Sequence, residues 1–135
     1  MVEKLDELVV DEGVIDEKLL TTVLAPFARI AKQTGKPVFT PAFSRLSEGD
    51  KILVYLLARK AGARLRILHE ETATPKEISA ETGVKYGTVK PTVSDLSEKG
   101  LVVSHQGSYS VPNHAVFQVE DRFARKNHAD ASAPR

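Results

Sequence analysis

A mostly α-helical chain with one small β-hairpin, an N-terminal helical extension and a C-terminal helix is the fold class this sequence predicts. Three observations carry it. Residues 75–111 read, in order, as a short helix, a tight turn, a longer helix and a hairpin. The run from Ile52 to Leu57 is apolar nearly all round a helix, as expected for a buried central element. After the hairpin, Val116, Val119 and Phe123 recur on one helical face.

The 75–111 segment can be justified residue by residue. Pro75 suits a first helical position, where the backbone N–H has no partner to lose. Thr74 is its expected N-cap, and Glu77 stands at the capping-box position. Ile78 and Ala80 are the apolar residues of this short helix. Gly83 supplies the left-handed backbone that ends it, and Val84 is the apolar plug of the turn. In the next helix Val89, Val93 and Leu96 follow the i, i+4, i+7 spacing of a buried stripe. Gly100 ends that helix, and Leu101-Val102-Val103 opens a β-branched strand. Gln106-Gly107 is the expected hairpin tip, with Leu101 and Val103 facing Tyr109 and Val111 on the return strand. The stripe is expected to share a core with Ile78, Leu53 and Leu57.

Pro91 is the irregular residue. Either the helix starts near Lys85 and is kinked at Pro91, or Thr88 is the N-cap and the regular helix starts later.

Upstream, the first dozen residues carry a short amphipathic pattern through Leu5, Leu8 and Val9, ended by Gly13. Asp16 is a good N-cap for a helix running to about Gln33, with Leu19, Leu20, Val23, Phe27 and Ile30 on one side. Pro26 is expected to kink that helix or split it in two. Gly35-Lys36-Pro37 stops it. Residues 37–46 read as an extended surface linker anchored by Phe39 and Phe43. Ser47-Glu-Gly-Asp50 resembles a capping box with Asp in the Glu position. The central helix it opens either ends near Gly62 or continues after a break through Leu65 and Leu68. Downstream, Pro112-Asn113 caps a helix over about 114–126, and the small polar tail 127–135 is expected to be disordered.

These readings divide the chain into a helical extension and linker (1–46), a central domain (47–111), a C-terminal helix (112–126) and a tail. The chain has 135 residues and no cysteine, so it has no disulfide and no thiolate metal site. No apolar run approaches the ~20 residues that span a bilayer, and the acidic N-terminus lacks signal-peptide character; a cytoplasmic protein is expected, with no membrane partner. The net charge of +1 conceals an asymmetry. Residues 1–20 hold two Lys against seven acids, whereas residues 29–66 hold nine Lys or Arg against two acids. Such a basic region either faces phosphate or lies on solvated helix faces.

The phrase Glu77-Ile-Ser-Ala-Glu-Thr-Gly-Val84, with Gly87-Thr-Val-Lys90 and Leu96-Ser-Glu-Lys-Gly-Leu-Val102, is similar to the core of the winged helix-turn-helix superfamily of bacterial and archaeal transcriptional regulators. The resemblance covers about residues 47–111. It implies a protein that binds double-stranded DNA, with the helix at about 85–99 in the major groove and the hairpin as a wing. The residues expected at DNA are Thr74, Lys76, Lys85, Tyr86, Thr88, Lys90, Thr92 and Ser94, with His105 and Gln106 at the wing tip. Lys, Ser and Thr donate to base edges or phosphates, and Gly87 lets the helix approach closely. Such domains normally act as dimers. The apolar faces of 16–33 and 114–126 offer a homodimer interface, or they pack on each other within one chain.

Two features depart from the pattern: Pro91 stands where Arg or Lys is frequent, and the wing tip holds no Lys or Arg. They favour a second reading, a winged helix used as a protein-interaction module in a larger complex such as a ribosomal or other nucleoprotein particle. No enzyme is expected. The histidines at 69, 105, 114 and 128 show no metal-ligand spacing, no Gly-rich phosphate loop is present, and neither metal nor cofactor is implied.

Overall fold

The computed structural model describes residue 5 and residues 16–132, with side chains described as far as residue 126. The helix expected over the first dozen residues lies outside that range apart from Leu5, as do residues 133–135. The protein is mostly helical, with two small antiparallel hairpins.

The first helix, α1 (Glu17–Leu24), starts where the side chain of Asp16 accepts a hydrogen bond from the Leu19 N–H at 2.9 Å. It buries Leu20, Val23 and Leu24. The helix expected to reach about Gln33 stops here. Pro26 splits the segment, and its second piece is a strand rather than a helix. Strand β1 (Ala28–Ile30) pairs with β2 (Pro37–Phe39) in the register Ala28↔Phe39, Arg29↔Val38 and Ile30↔Pro37. The connecting turn closes through the Ala31 N–H on the Lys36 carbonyl and the Gly35 N–H on the Ala31 carbonyl. Gly35 takes φ +76°, which a side chain would resist.

Residues 37–46 do not form the extended linker expected of them. After β2 comes a 3-10 helix, Pro41–Arg45. Phe43 is buried and its ring stacks on Phe39 with centroids 3.7 Å apart, so both aromatic anchors hold this segment to the core.

Helix α2 (Glu48–Arg64) is the centre of the molecule. Its N-cap Ser47 accepts from the Asp50 N–H, but Asp50 does not return the bond. Every residue from Ile52 to Ala58 is buried, as an all-round apolar helix requires. Fully burying a side chain of this size contributes about 1.5–3 kcal/mol. The helix ends at Arg64. Residues 67 and 68 then fold back, and both of their N–H groups donate to the Gly62 carbonyl. Gly62 is required there, since a Cβ would lie 2.9 Å from Leu68 Cδ1 and 3.2 Å from the Gly35 carbonyl oxygen.

Two helices come next, α3 (Pro75–Thr82) and α4 (Tyr86–Glu98). Both directions of the Thr74–Glu77 capping box are made, and Gly83 ends α3 at φ +83°. Lys85 is the N-cap of α4, so Thr88 is not, and Pro91 sits inside the helix. Ile78, Val84, Val89, Val93 and Leu96 are buried together with Leu53 and Leu57.

Strands β3 (Val103–His105) and β4 (Ser108–Ser110) close a hairpin on Gln106-Gly107, both with positive φ, the backbone that a tight two-residue turn needs. The ladder is shorter than expected. It pairs Val103 with Ser110, Ser104 with Tyr109 and His105 with Ser108, while Leu101 and Val111 are buried outside it. The backbone of Ala73 also exchanges both hydrogen bonds with Tyr109, at 2.9 and 2.8 Å, which ties the hairpin to the start of α3.

The last helix, α5 (Val116–Ser132), runs past the expected end near 126. Its stripe of Val116, Val119 and Phe123 is buried within the chain. It packs on α1, and Phe123 meets Phe27 edge-on with centroids 5.6 Å apart. The two apolar faces that offered a homodimer interface therefore cover each other. Helix α2 is common to two groups: α3, α4 and β4 pack on it, and so do α1, β1 and β2. Among the described residues, no helix is long and apolar enough to cross a membrane.

Candidate nucleic-acid interface

The turn between α3 and α4 is held by side chains as well as by Gly83. Ser79 Oγ donates to the Val84 carbonyl at 2.7 Å. Thr82 Oγ1 donates to the Ile78 carbonyl at 2.6 Å and accepts from the Val84 N–H at 3.1 Å. These bonds fix the angle at which α4 leaves α3. In the sequence Ser79 and Thr82 read only as polar residues of a short helix.

With Val89, Val93 and Leu96 buried, α4 presents Lys85, Tyr86, Gly87, Lys90, Pro91 and Ser94 to solvent. Tyr86 is 50% exposed, with its ring open to a partner. A Cβ at Gly87 would meet nothing within 4 Å, so the helix surface there is flat and open. Unlike α1, α2 and α3, helix α4 has no side-chain N-cap. Its first turn therefore offers backbone N–H groups, backed by the helix dipole, to an anion. The lysines on either side, Lys85 and Lys90, add positive charge to that end.

The expected contact residues do not all share this face. The Thr74 hydroxyl is occupied in its capping box, accepting from the Glu77 N–H and donating to Glu77 Oε1, each at 3.2 Å. It has no proton left for a phosphate. Thr92 Oγ1 donates to the Thr88 carbonyl at 2.7 Å, and the Thr92 methyl lies toward Gly49 at the start of α2. Thr88 and Thr92 are both half-buried and sit at the edge of the face. Lys76 is exposed on the first turn of α3, with Glu77 beside it. His105 and Gln106 are exposed at the hairpin tip, and Gln106 is held at φ +50°.

Two charged groups behind the interface have no signal in the local sequence. Lys60, 3% exposed, donates to Glu71 Oε2 at 2.6 Å and to Asn113 Oδ1 at 2.7 Å. It joins α2 to the loop before α3 and to the segment after β4. Asp50, equally buried, accepts from Arg122 Nε at 2.7 Å and Lys126 Nζ at 2.6 Å. Comparison of the chain with protein-family models, curated proteins and solved structures finds no significant match.

Proposed function

We propose that residues 47–111 form a winged helix-turn-helix domain that binds duplex DNA and regulates transcription. The observation that carries this reading is the exposed face of α4. One side of the helix is fixed in the core, and the other offers Lys85, Tyr86, Lys90 and Ser94 around an open Gly87 and an uncapped N-terminus. Lys90 lies where a major-groove helix meets base edges, and Lys76 and Lys85 lie where phosphates pass. The action is binding rather than catalysis.

The experiment is selection of bound duplexes from a random pool, then fluorescence anisotropy on the enriched sequence. Enrichment of a motif, with weaker binding by Lys90→Ala, supports the reading. No enrichment and no affinity at low salt would remove it.

A second reading is favoured by the hairpin tip, where exposed His105, Gln106 and Gly107 carry no permanent positive charge, and by Phe117, 67% exposed at the start of α5. In that reading the domain is a protein-interaction module within a larger complex. It takes over if duplex binding is absent.

A further inference from the structure

The hairpin β1–β2, which the sequence did not announce, has a charge pattern of its own. From residue 18 to residue 47 the chain contains Lys18, Arg29, Lys32, Lys36 and Arg45 and no acid. At the tip, Lys32, Gln33, Thr34 and Lys36 are exposed. We infer that this tip, together with Arg66 in the turn after α2, forms a second surface that grips nucleic-acid phosphates away from α4.

Rigidity is the first support. Gly35 sits so close to residues 67 and 68 that a Cβ would lie 2.8 Å from Leu68 Cγ and 2.9 Å from Ile67 Cγ2. Gly62 is pressed just as closely against Leu68 and the Gly35 carbonyl. The two glycines clamp the turn that carries Lys36 to the end of α2 and to Ile67 and Leu68, the residues that follow Arg66.

The second support is Arg66 itself, at φ +64°. The left-handed region penalises a side chain, and Gly is the ordinary choice there. Arg66 is the left-handed residue of a Schellman end to α2, with its own N–H on the Ala63 carbonyl and the Ile67 N–H on the Gly62 carbonyl, each at 3.0 Å. Its exposed side chain makes no hydrogen bond or ion pair among the described residues.

The third support is that two of the neighbouring acids are already paired with cations. Glu17 takes Arg64 at 2.6 Å and Glu71 takes Lys60 at 2.6 Å, while Glu70 accepts the Thr72 hydroxyl at 2.8 Å and keeps its charge. Among the described residues, Lys32, Lys36 and Arg66 make no ion pair. Hydrogen-bonding cations with Gln33 and Thr34 between them fit a phosphate backbone, with exposed Val38 and Leu65 at the border of the surface.

Helix α4 crosses α2 at Gly49 and the tip meets it at Gly62, about 20 Å apart at 1.5 Å per residue. The two surfaces are thus held at a fixed spacing by one rigid helix. The choice of a nucleic-acid partner rests on the duplex-binding reading. The surface meets either a more distant stretch of the same duplex or a second duplex.

The test is anisotropy on a random duplex across a salt series. It compares the wild type, the triple variant Lys32→Gln/Lys36→Gln/Arg66→Gly, the single variant Arg66→Gly, and Lys90→Ala. The triple variant is expected to lower the salt slope by about 2 to 3 and Arg66→Gly by about one. Arg66→Gly relaxes the backbone, so its melting temperature should rise or hold while binding weakens. Unchanged slopes in both overturn the inference. Binding that survives Lys90→Ala but is lost in the triple variant supports this surface and removes α4 as the reader. A wild type without duplex affinity overturns both. Energy transfer between two labelled duplexes, present in wild type and lost in the triple variant, identifies a second duplex; its absence, with affinity rising as the duplex lengthens, identifies the same one.

Discussion

Asp50 and Arg122 join the first turn of the central helix to the last helix of the chain: Asp50 Oδ1 accepts from Arg122 Nε at 2.7 Å across 72 positions of sequence. Lys126 occupies the other carboxylate oxygen. Asp50→Ala leaves two cations that are partly exposed and can turn to water, so the loss should be smaller than for a fully buried pair. A destabilisation of about 1–3 kcal/mol is expected. Urea unfolding measures it, and hydrogen exchange should rise first in the α5 backbone near Arg122. A double-mutant cycle with Arg122→Ala should return a coupling that exceeds an exposed pair's value of about 1 kcal/mol.

The Lys60–Glu71 pair should respond unequally to its two truncations. Lys60 is 3% exposed and Glu71 32%. Glu71→Ala leaves a buried ammonium with only the neutral Asn113 oxygen as partner and is expected to cost about 3–5 kcal/mol. Lys60→Met leaves a carboxylate that reaches water and should cost less. Denaturant midpoints for the two variants test the order, and a loss near zero for Glu71→Ala would show that Asn113 alone satisfies Lys60.

Tyr55 is wholly buried, and among the described residues its hydroxyl makes no hydrogen bond of good geometry, although Arg59 and Glu81 both act on it. Tyr55→Phe should therefore be neutral or stabilising by up to about 1–3 kcal/mol, since the desolvation of an unpaired hydroxyl is removed. Burial also pushes the Tyr55 phenol upward from its ordinary value, while the charges of Arg59 and Glu81 act in opposite directions. The folded state thus holds this proton more tightly than the unfolded state. The resulting stability is fully present below the ordinary value of about 10 and is lost as the pH rises above it. Stability curves for the two proteins should diverge only in that alkaline range, with the wild type falling faster.

Gly87 and Gly62 should behave oppositely when replaced by Ala. Gly87 has open space on a helix, so Gly87→Ala should stabilise by about 0.5–1 kcal/mol. If α4 approaches DNA closely, the same change should weaken binding. Gly62→Ala places a methyl 2.9 Å from Leu68 Cδ1 and should destabilise by about 1–3 kcal/mol despite its better helix propensity. Thermal melts and anisotropy on both variants check the pair.

Lys76→Ala and Lys90→Ala separate positioning from reading. The first should weaken binding to all duplexes alike and lower the salt slope by about one. The second should cost about 1–3 kcal/mol on a selected sequence and relax the preference there. Equal behaviour on selected and random duplexes would show that α4 does not read bases.

The legible parts of this fold are those set by neighbours in sequence. Asp16, Ser47 and Thr74 cap helices through atoms three residues away, and Gly83 and Gly107 take their turn conformations locally. The stripe Val89, Val93, Leu96 needs only a helical period. The features that escape a sequence reading depend on distant partners. Residues 28–30 form a strand because the turn at Gly35 docks on Gly62 and Leu68. Asp50 leaves its capping box because Arg122 and Lys126 claim it. At the candidate site the lysines of α4 were legible from the stripe opposite them. The Thr74 and Thr92 hydroxyls were not, because composition shows a donor without showing that a nearby acceptor already holds it.

The Asp50 link also bears on modularity. Residues 47–111 look self-contained along the chain, yet excised alone they would carry a buried carboxylate without its cations and an α2 surface stripped of α1, the first hairpin and α5. The core is therefore shared across the span from Asp16 to Lys126. A recombination boundary at residue 47 or 111 would cut through that shared core.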